Sequence, residues 1–380
     1  MTSNRVCALL GCAYPLIAFS HCRDVVAAVT NAGGFGVLGA AAYSPEALDR
    51  ELTWIDQAVG GRPYGADILV PAHVEGGDGG SGHRAGDLAS LVPDEQRRFV
   101  AQILASHGVG DGQSVPPAAA AAASMGSATN NELLLDVIFA HPIRLAANAL
   151  GVPTPAMLDR SRRAGVPVAA LVGNRVHAER QVAAGVDLIV AQGGEAGGHC
   201  GEVSTMVLVP EVVDAVAATA RPVPVVAAGG IVTGRQMAAA LALGADGVWT
   251  GSVWLTTDEA ETAPATKAKM LTSGSGDTVR SRSRTGKPSR QLRSAWTDAW
   301  ESAAAPAALS MPLQSMLAEP ALRRVDQAAA SGNQGAAELA TYWVGQGVGL
   351  MNASRPARRV VTDMIEELAV TIDRLSQLGD

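Results

Sequence analysis

Short apolar runs recur along the chain, and most are followed by a stretch with helical spacing. Pro15–Phe19 (PLIAF), Phe35–Gly39 (FGVLG), Tyr64–Val70 (YGADILV) and Ile143–Ala147 (IRLAA) read as strands. So do Val166–Leu171 (VPVAAL), Val186–Ala191 (VDLIVA), Val223–Ala228 (VPVVAA) and Gly247–Thr250 (GVWT). Near-continuous apolar runs of this length fit strands covered on both faces, as in a parallel sheet. Between them, helical patterns cover Arg23–Asn31, Asn131–Ala140, Pro155–Ala164, Arg175–Ala184, Pro210–Thr219 and Thr233–Leu243. Another begins at Ser44-Pro45-Glu46 and runs to about Val59. There Ser44 is the N-cap, Pro45 fits the first turn, and Glu46 faces the positive end of the helix dipole. Ala164–Ala169 (AGVPVA), Ala184–Ile189 (AGVDLI) and Gly244–Trp249 (GADGVW) repeat one theme: helix end, glycine, buried strand. Strand–helix alternation of this kind builds parallel βαβ units. Eight of them predict an α/β fold of the (β/α)8 barrel type. An open doubly wound sheet is disfavoured, because no GxGxxG follows the first strand.

Two segments break the rhythm. Residues 71–130 form an insertion after strand three, read as a lid. It holds a Gly/His-rich start with His73 and His83, a polar helix at Pro93–His107, and an alanine tract near Pro117. Beyond Arg280 the chain gathers positive charge in RSRSRTGKPSRQLRSAW. That run is expected to be a solvated face or subunit contact, with an acidic-substrate cradle as the alternative. Residues 258–272 continue the barrel helices. Met311–Leu317, Ala336–Gln346 and Ala357–Leu378 are expected as further helices. The predicted organisation is a barrel of residues 1–70 and 131–279, an insertion or lid at 71–130, and a C-terminal helical segment at 280–380 packing on the barrel.

Composition narrows the function. With 48% hydrophobic and 17% charged residues, a large core is available. The net charge of −7 argues against a nucleic-acid partner, which needs a basic face. Cys7, Cys12, Cys22 and Cys200 form no CxxC, and the seven histidines are dispersed, so neither a disulfide framework nor a metal site is expected. The N-terminus lacks the form of a signal peptide, and no apolar run is long enough to span a bilayer. A cytoplasmic protein is expected, with no membrane partner.

Candidate chemistry collects after the last three strands. Gln192–Gly201 (QGGEAGGHCG) is a glycine-rich loop holding one imidazole, His199. Glycine lets backbone N–H groups approach a ligand, and histidine exchanges protons near neutral pH. Strand seven ends in Gly229-Gly230, and strand eight in Thr250-Gly251-Ser252. Loops seven and eight of such barrels commonly bind phosphate. A P-loop is absent and no dinucleotide fingerprint is convincing. A mononucleotide such as FMN fits, with its ring over the barrel mouth.

Ala32–Ala40 (AGGFGVLGA), Ala191–Val203 (AQGGEAGGHCGEV), Ala227–Ile231 (AAGGI) and Gly244–Ser252 (GADGVWTGS) together resemble the nitronate monooxygenase family. Thr285–Trp296 (TGKPSRQLRSAW) and Gly345–Leu350 (GQGVGL) resemble its C-terminal segments. The resemblance implies an FMN-dependent TIM barrel that oxidises nitronates or nitroalkanes with O2 to carbonyl compounds and nitrite. It implies flavin contacts at Ala18, Phe19, Ser20, Asp67, Gln192 and Gly197. Phosphate contacts are implied at Gly229, Gly230, Trp249, Thr250, Gly251 and Ser252. His199 falls on the catalytic histidine, while His21 is a further candidate for substrate contact. At position 67 the family typically carries Asn. Related FMN barrels reduce enoyl thioesters or quinones with NAD(P)H, which makes such a reductase the alternative. A non-catalytic flavin-binding protein is the third reading. The expected partners are a small-molecule substrate and O2, with NAD(P)H and a second copy of the chain as further candidates.

Overall fold

In a computed structural model, residues 4–68, 90–110, 128–149 and 151–378 are described. Eight parallel strands close in sequence order into a barrel. They are β1 (Leu16–Ser20), β2 (Phe35–Gly39), β3 (Gly65–Ile68), β4 (Leu145–Asn148), β5 (Val168–Val172), β6 (Leu188–Gln192), β7 (Val225–Ala228) and β8 (Gly247–Thr250). β8 pairs back onto β1 through Leu16–Val248, Ile17–Trp249 and Ala18–Thr250. The end of the predicted third strand, Leu69–Val70, lies outside the described residues, as do His73, His83 and the alanine tract.

Side-chain alternation divides the core in two. One set, including Ala18, Ala66, Ile68 and Ala227, packs between sheet and helices. The other, including Ile17, Phe35, Val37, Leu145, Ala147, Val190, Val226, Ala228 and Trp249, fills the barrel interior. The floor comes from a helix that the sequence reading did not assign, α1 (Arg5–Leu10). Asn4 caps it by accepting from Val6 and Cys7 N–H, and its Val6 and Leu10 close the amino-terminal end of the barrel.

Helices α2 (Arg23–Asn31) and α3 (Pro45–Val59) follow β1 and β2. The expected Ser44 cap forms, with Oγ accepting from Ala47 N–H at 3.2 Å. α4 (Asp94–Ser106) falls where the polar helix was predicted, and α5 (Ala128–Ala140) starts three residues before the predicted Asn131. α6 (Pro155–Ala164) and α7 (Arg175–Ala184) end on left-handed Gly165 and Gly185, as expected from the repeats. α8 (Thr205–Ala217) begins well before the predicted Pro210, which lies inside the helix. Its start is set by the Glu195 carboxylate, a long-range cap that sequence spacing does not show. α9 (Gly234–Ala242) is capped by a Thr233–Gln236 capping box.

The C-terminal segment holds α10 (Pro264–Thr272), α11 (Ala295–Trp300), α12 (Leu313–Ala330), α13 (Gln334–Leu339) and α14 (Ala357–Ser376). It also holds an unpredicted antiparallel hairpin, β9 (Thr278–Ser281) with β10 (Ser289–Leu292). α12 runs much further than the predicted Met311–Leu317, while α13 is shorter than predicted and gives way to extended chain at Ala340. α4 packs on this segment, with Val100, Ile103 and Leu104 sharing one core with Trp296, Trp300, Leu322 and Val325.

Candidate active site

A cavity of about 500 Å³ lies at the amino-terminal end of the barrel, lined by Leu10, Tyr64, His141 and neighbours. None of the predicted site residues lines it. All of those residues lie on or just past the carboxyl ends of β1, β3, β6, β7 and β8, the end where barrels of this kind carry their chemistry.

The interior-facing residues make the floor of this mouth. Phe19 stacks with Trp249 at 6.3 Å between ring centroids and meets the His21 ring edge-on at 5.1 Å. Ala18 faces the helices, so only its backbone is available to a ligand in the mouth. Ser20 Oγ accepts from Cys22 N–H. Thr250 Oγ1 donates to Ile17 O and lies beside the Trp254 indole N–H, so its side chain is spent inside the protein. Gln192 ends β6, in line with inward-facing Leu188 and Val190. His21 Nδ1 bonds Gly39 O at 3.1 Å. Protein atoms packed around the ring push its pKa down.

The turns after β7 and β8 fit a phosphate. Gly229 and Gly230 have φ of 110° and 72°, which only glycine adopts freely. The N–H groups of Gly229, Gly230, Gly251 and Ser252 have no acceptor among the described residues. Register partners Ala228 and Trp249 set the two turns side by side. A short 3₁₀ turn, Ser252–Thr256, follows β8. The N-terminus of α9 is closed to a ligand, because its first N–H, from Gly234, donates to Glu367 of α14. The N–H donors this end offers to an anion are therefore those of the pair of turns and the start of the 3₁₀ turn. Ser252 Oγ accepts from Gly345 N–H at 2.8 Å, which brings the C-terminal segment over the same turn.

The loop after β6 carries His199 and is clamped from outside the barrel. Gly198 and Arg290 exchange two backbone hydrogen bonds of 3.0 and 2.8 Å, which bind the loop to β10. The Arg290 guanidinium donates twice to Gly194 O, at 2.9 and 2.8 Å, and once to Thr278 Oγ1. Gly197 lies against the backbone of Val344 and Gly345. Glu195 is a cap: its Oε2 accepts from both Thr205 N–H and Thr205 Oγ1 at 2.8 Å.

His199 Nδ1 lies 3.2 Å from Pro288 O. A carbonyl only accepts, so in the neutral ring Nδ1 carries the proton and Nε2 keeps a free lone pair. Burial first and the Lys287 cation second push the pKa of this imidazole below its ordinary value, against the Pro288 hydrogen bond. The ring is exposed and unprotonated near neutral pH, as a base requires. Cys200 next to it donates weakly to Gly194 O, and burial raises its thiol pKa, so it is not an activated nucleophile.

The basic run divides by side. Arg282, Lys287 and Arg293 are exposed, whereas Arg284 points inward. Arg284 forms a two-pronged pair with Glu319, at 2.7 and 3.0 Å, and stacks over Tyr342 and Trp343. The expectation of a solvated face holds for the first three and fails for Arg284. The pairing partner comes from α12, which sequence position does not reveal. Arg290 and Gly345 were likewise missed as site-forming residues, although both lie in motifs noted above.

Cys22, Asp24 and Glu261 bring ligand atoms within 4.8 Å of one another at the start of α2. The Cys22 thiol is raised by burial and donates to Glu259 O, which suits packing better than metal binding. Among the described residues, no helix is long and apolar enough to cross a membrane.

Residues 17–367 match the nitronate monooxygenase family model. The chain is 55% identical over 375 residues, covering 99% of each protein, to a Mycobacterium tuberculosis protein named for monooxygenase activity. Its fold is similar to that of a nitroalkane oxidase from Streptomyces ansochromogenes. That match has a TM-score of 0.77 and 25% identity, and covers 97% of this chain and 99% of the other. FabK from Thermotoga maritima is similar at a TM-score of 0.69 and 25% identity, over 100% of both chains.

Proposed function

Since the chain belongs to the nitronate monooxygenase family, we propose that it binds FMN at the carboxyl end of its barrel and oxidises nitronates or nitroalkanes with O2 to carbonyl compounds and nitrite. The observation that carries this reading is His199, an exposed, neutral imidazole held by Pro288 O on the loop after β6, at the same end of the barrel as two glycine turns with unused N–H donors. Bound FMN would supply the electron-accepting chemistry and the reaction with O2.

The protein's own residues have separate tasks. The N–H groups of Gly229, Gly230, Gly251 and Ser252 would hold the phosphate. Phe19 and Trp249, stacked on one another, would offer the flavin an apolar surface, and Gln192 and Asp67 would offer it polar atoms. For a neutral nitroalkane, His199 Nε2 takes the proton from the carbon bearing the nitro group. A nitronate has already lost that proton, so there the imidazole only orients the anion. Lys287, close enough to depress the histidine, also favours a negative substrate.

The test is anaerobic mixing of the FMN-loaded protein with a nitronate and, separately, with NAD(P)H. Rapid flavin bleaching by the nitronate, with nitrite release on admitting O2, is the expected result. Bleaching by NAD(P)H alone would favour the reductase reading. His199→Asn should slow neutral nitroalkanes by about 10²–10⁴, the usual worth of a general base, while leaving nitronates and FMN binding little changed. The wild-type rate with neutral nitroalkanes should fall on acidification only below about pH 6.5, because the depressed imidazole protonates late. Equal losses on both substrates would remove His199 from the base role.

A further inference from the structure

β3 turns one carboxyl toward the barrel axis. Ala66 and Ile68 belong to the core between sheet and helices, so alternation sends Gly65 and Asp67 inward. Register places Asp67 between Gly39 of β2 and Ala147 of β4. Neither neighbour has a side-chain donor, and the rings of His21 and Phe19 pack across Gly39. Asp67 is 6% exposed, and its Oδ1 has no hydrogen-bond partner.

No counter-charge stands nearby among the described residues. From β1 the mouth receives Phe19, from β5 Leu171, from β6 Gln192 and from β8 Trp249. Among the described residues the titratable neighbour is His21, whose ring packs across Gly39 and whose pKa burial pushes down. His199 is neutral on the β6 loop, and Arg284 acts on His21 while paired to Glu319. An ionised carboxylate here would lose its hydration with no cation among the described residues to offset the loss. The neutral acid avoids that cost, and burial raises Asp67 well above the ordinary carboxyl range. A COOH group has one O–H to donate and one C=O to accept with, the pair that an amide offers.

We propose that the Asp67 carboxyl is the hydrogen-bond donor this chain presents to the ring of its bound flavin, replacing an amide with an acid of the same shape. This rests on the FMN reading above. It accounts for an Asp at a position where Asn is the expected residue. It also adds a property that an amide lacks, since the O–H can be lost at high pH. A neutral donor beside the ring favours the electron-rich reduced form, whereas a carboxylate would oppose it.

The test measures FMN affinity and flavin midpoint potential for wild type, Asp67→Asn and Asp67→Leu, with Asp67→Ala as the second apolar variant should the leucine protein not fold. Infrared spectra of the FMN-free wild type, with Asp67→Asn as the blank, read the protonated carboxyl directly. Wild type and Asp67→Asn should agree in affinity within about threefold at neutral pH. The apolar variants should bind about tenfold more weakly, as loss of one ~1.4 kcal/mol hydrogen bond requires, and show a lower potential. Where rising pH removes the infrared acid band, wild-type affinity should fall with it and that of Asp67→Asn should not. An ionised carboxylate band at neutral pH, or an apolar variant that binds as tightly as wild type, overturns the proposal. Failure of every protein, wild type included, to take up FMN sinks the FMN reading and the donor role together. An acid band in that case still establishes the protonated state.

Discussion

In the unfolded chain Asp67 ionises near pH 3.9, as any solvated aspartate does, whereas in the barrel it keeps its proton to a much higher pH. The folded state therefore binds one proton more than the unfolded state between those two values. By linkage, stability must fall as pH rises through that window, at up to about 1.4 kcal/mol per unit for this one group. Asp67→Asn removes the effect. The variant should match wild type in urea denaturation near pH 4 and be more stable at neutral pH. A gap that does not widen with pH would show that Asp67 ionises normally in the fold. At this scale, much of the site was visible in the sequence. Residues at strand ends, such as Gln192, Gly229, Gly230 and Thr250, followed from the strand–turn rhythm, and their placement at one end followed from the parallel fold. What the sequence concealed was the use of each group. Thr250 looks available and is consumed by Ile17 and Trp254, while Asp67 looks charged and is not.

Helices and strands of the barrel announced themselves because each is short, apolar and punctuated by glycine. The C-terminal elements did not. β9 and β10 are polar and rich in arginine, so no apolar alternation marks them, and α12 carries Pro320 in its interior, where a helix pattern is expected to stop. Their structure is settled by contacts distant in sequence, foremost the Arg284–Glu319 pair between the hairpin loop and α12. The Arg284 side chain is 6% exposed, and its guanidinium lies 4.1 Å from the centre of the Trp343 ring. Glu319→Gln leaves a buried cation without its counter-charge and should cost about 3–5 kcal/mol in chemical denaturation. A loss under about 1 kcal/mol would mean that water screens the pair as it does at a surface.

Across the whole molecule, the C-terminal segment and the barrel are one packed body. α14 lies along α9 so closely that Gly234 meets the backbone at Met364 and Leu368, and Glu367 closes the end of α9. Val344, Val348, Met351, Val361 and Met364 belong to the same apolar core as the strands. Calorimetry should therefore show a single unfolding transition, and a separate early transition for the C-terminal third would contradict this continuity.

The clamp on His199 has a consequence for how the protein comes into being. During synthesis the last barrel strand ends at Thr250, but the backbone that steadies the imidazole arrives with Arg290, and the segment that crosses the phosphate turn only with Gly345. A chain stopped short of Arg290 would therefore lack the backbone partner of the His199 loop, although all eight strand sequences were already present.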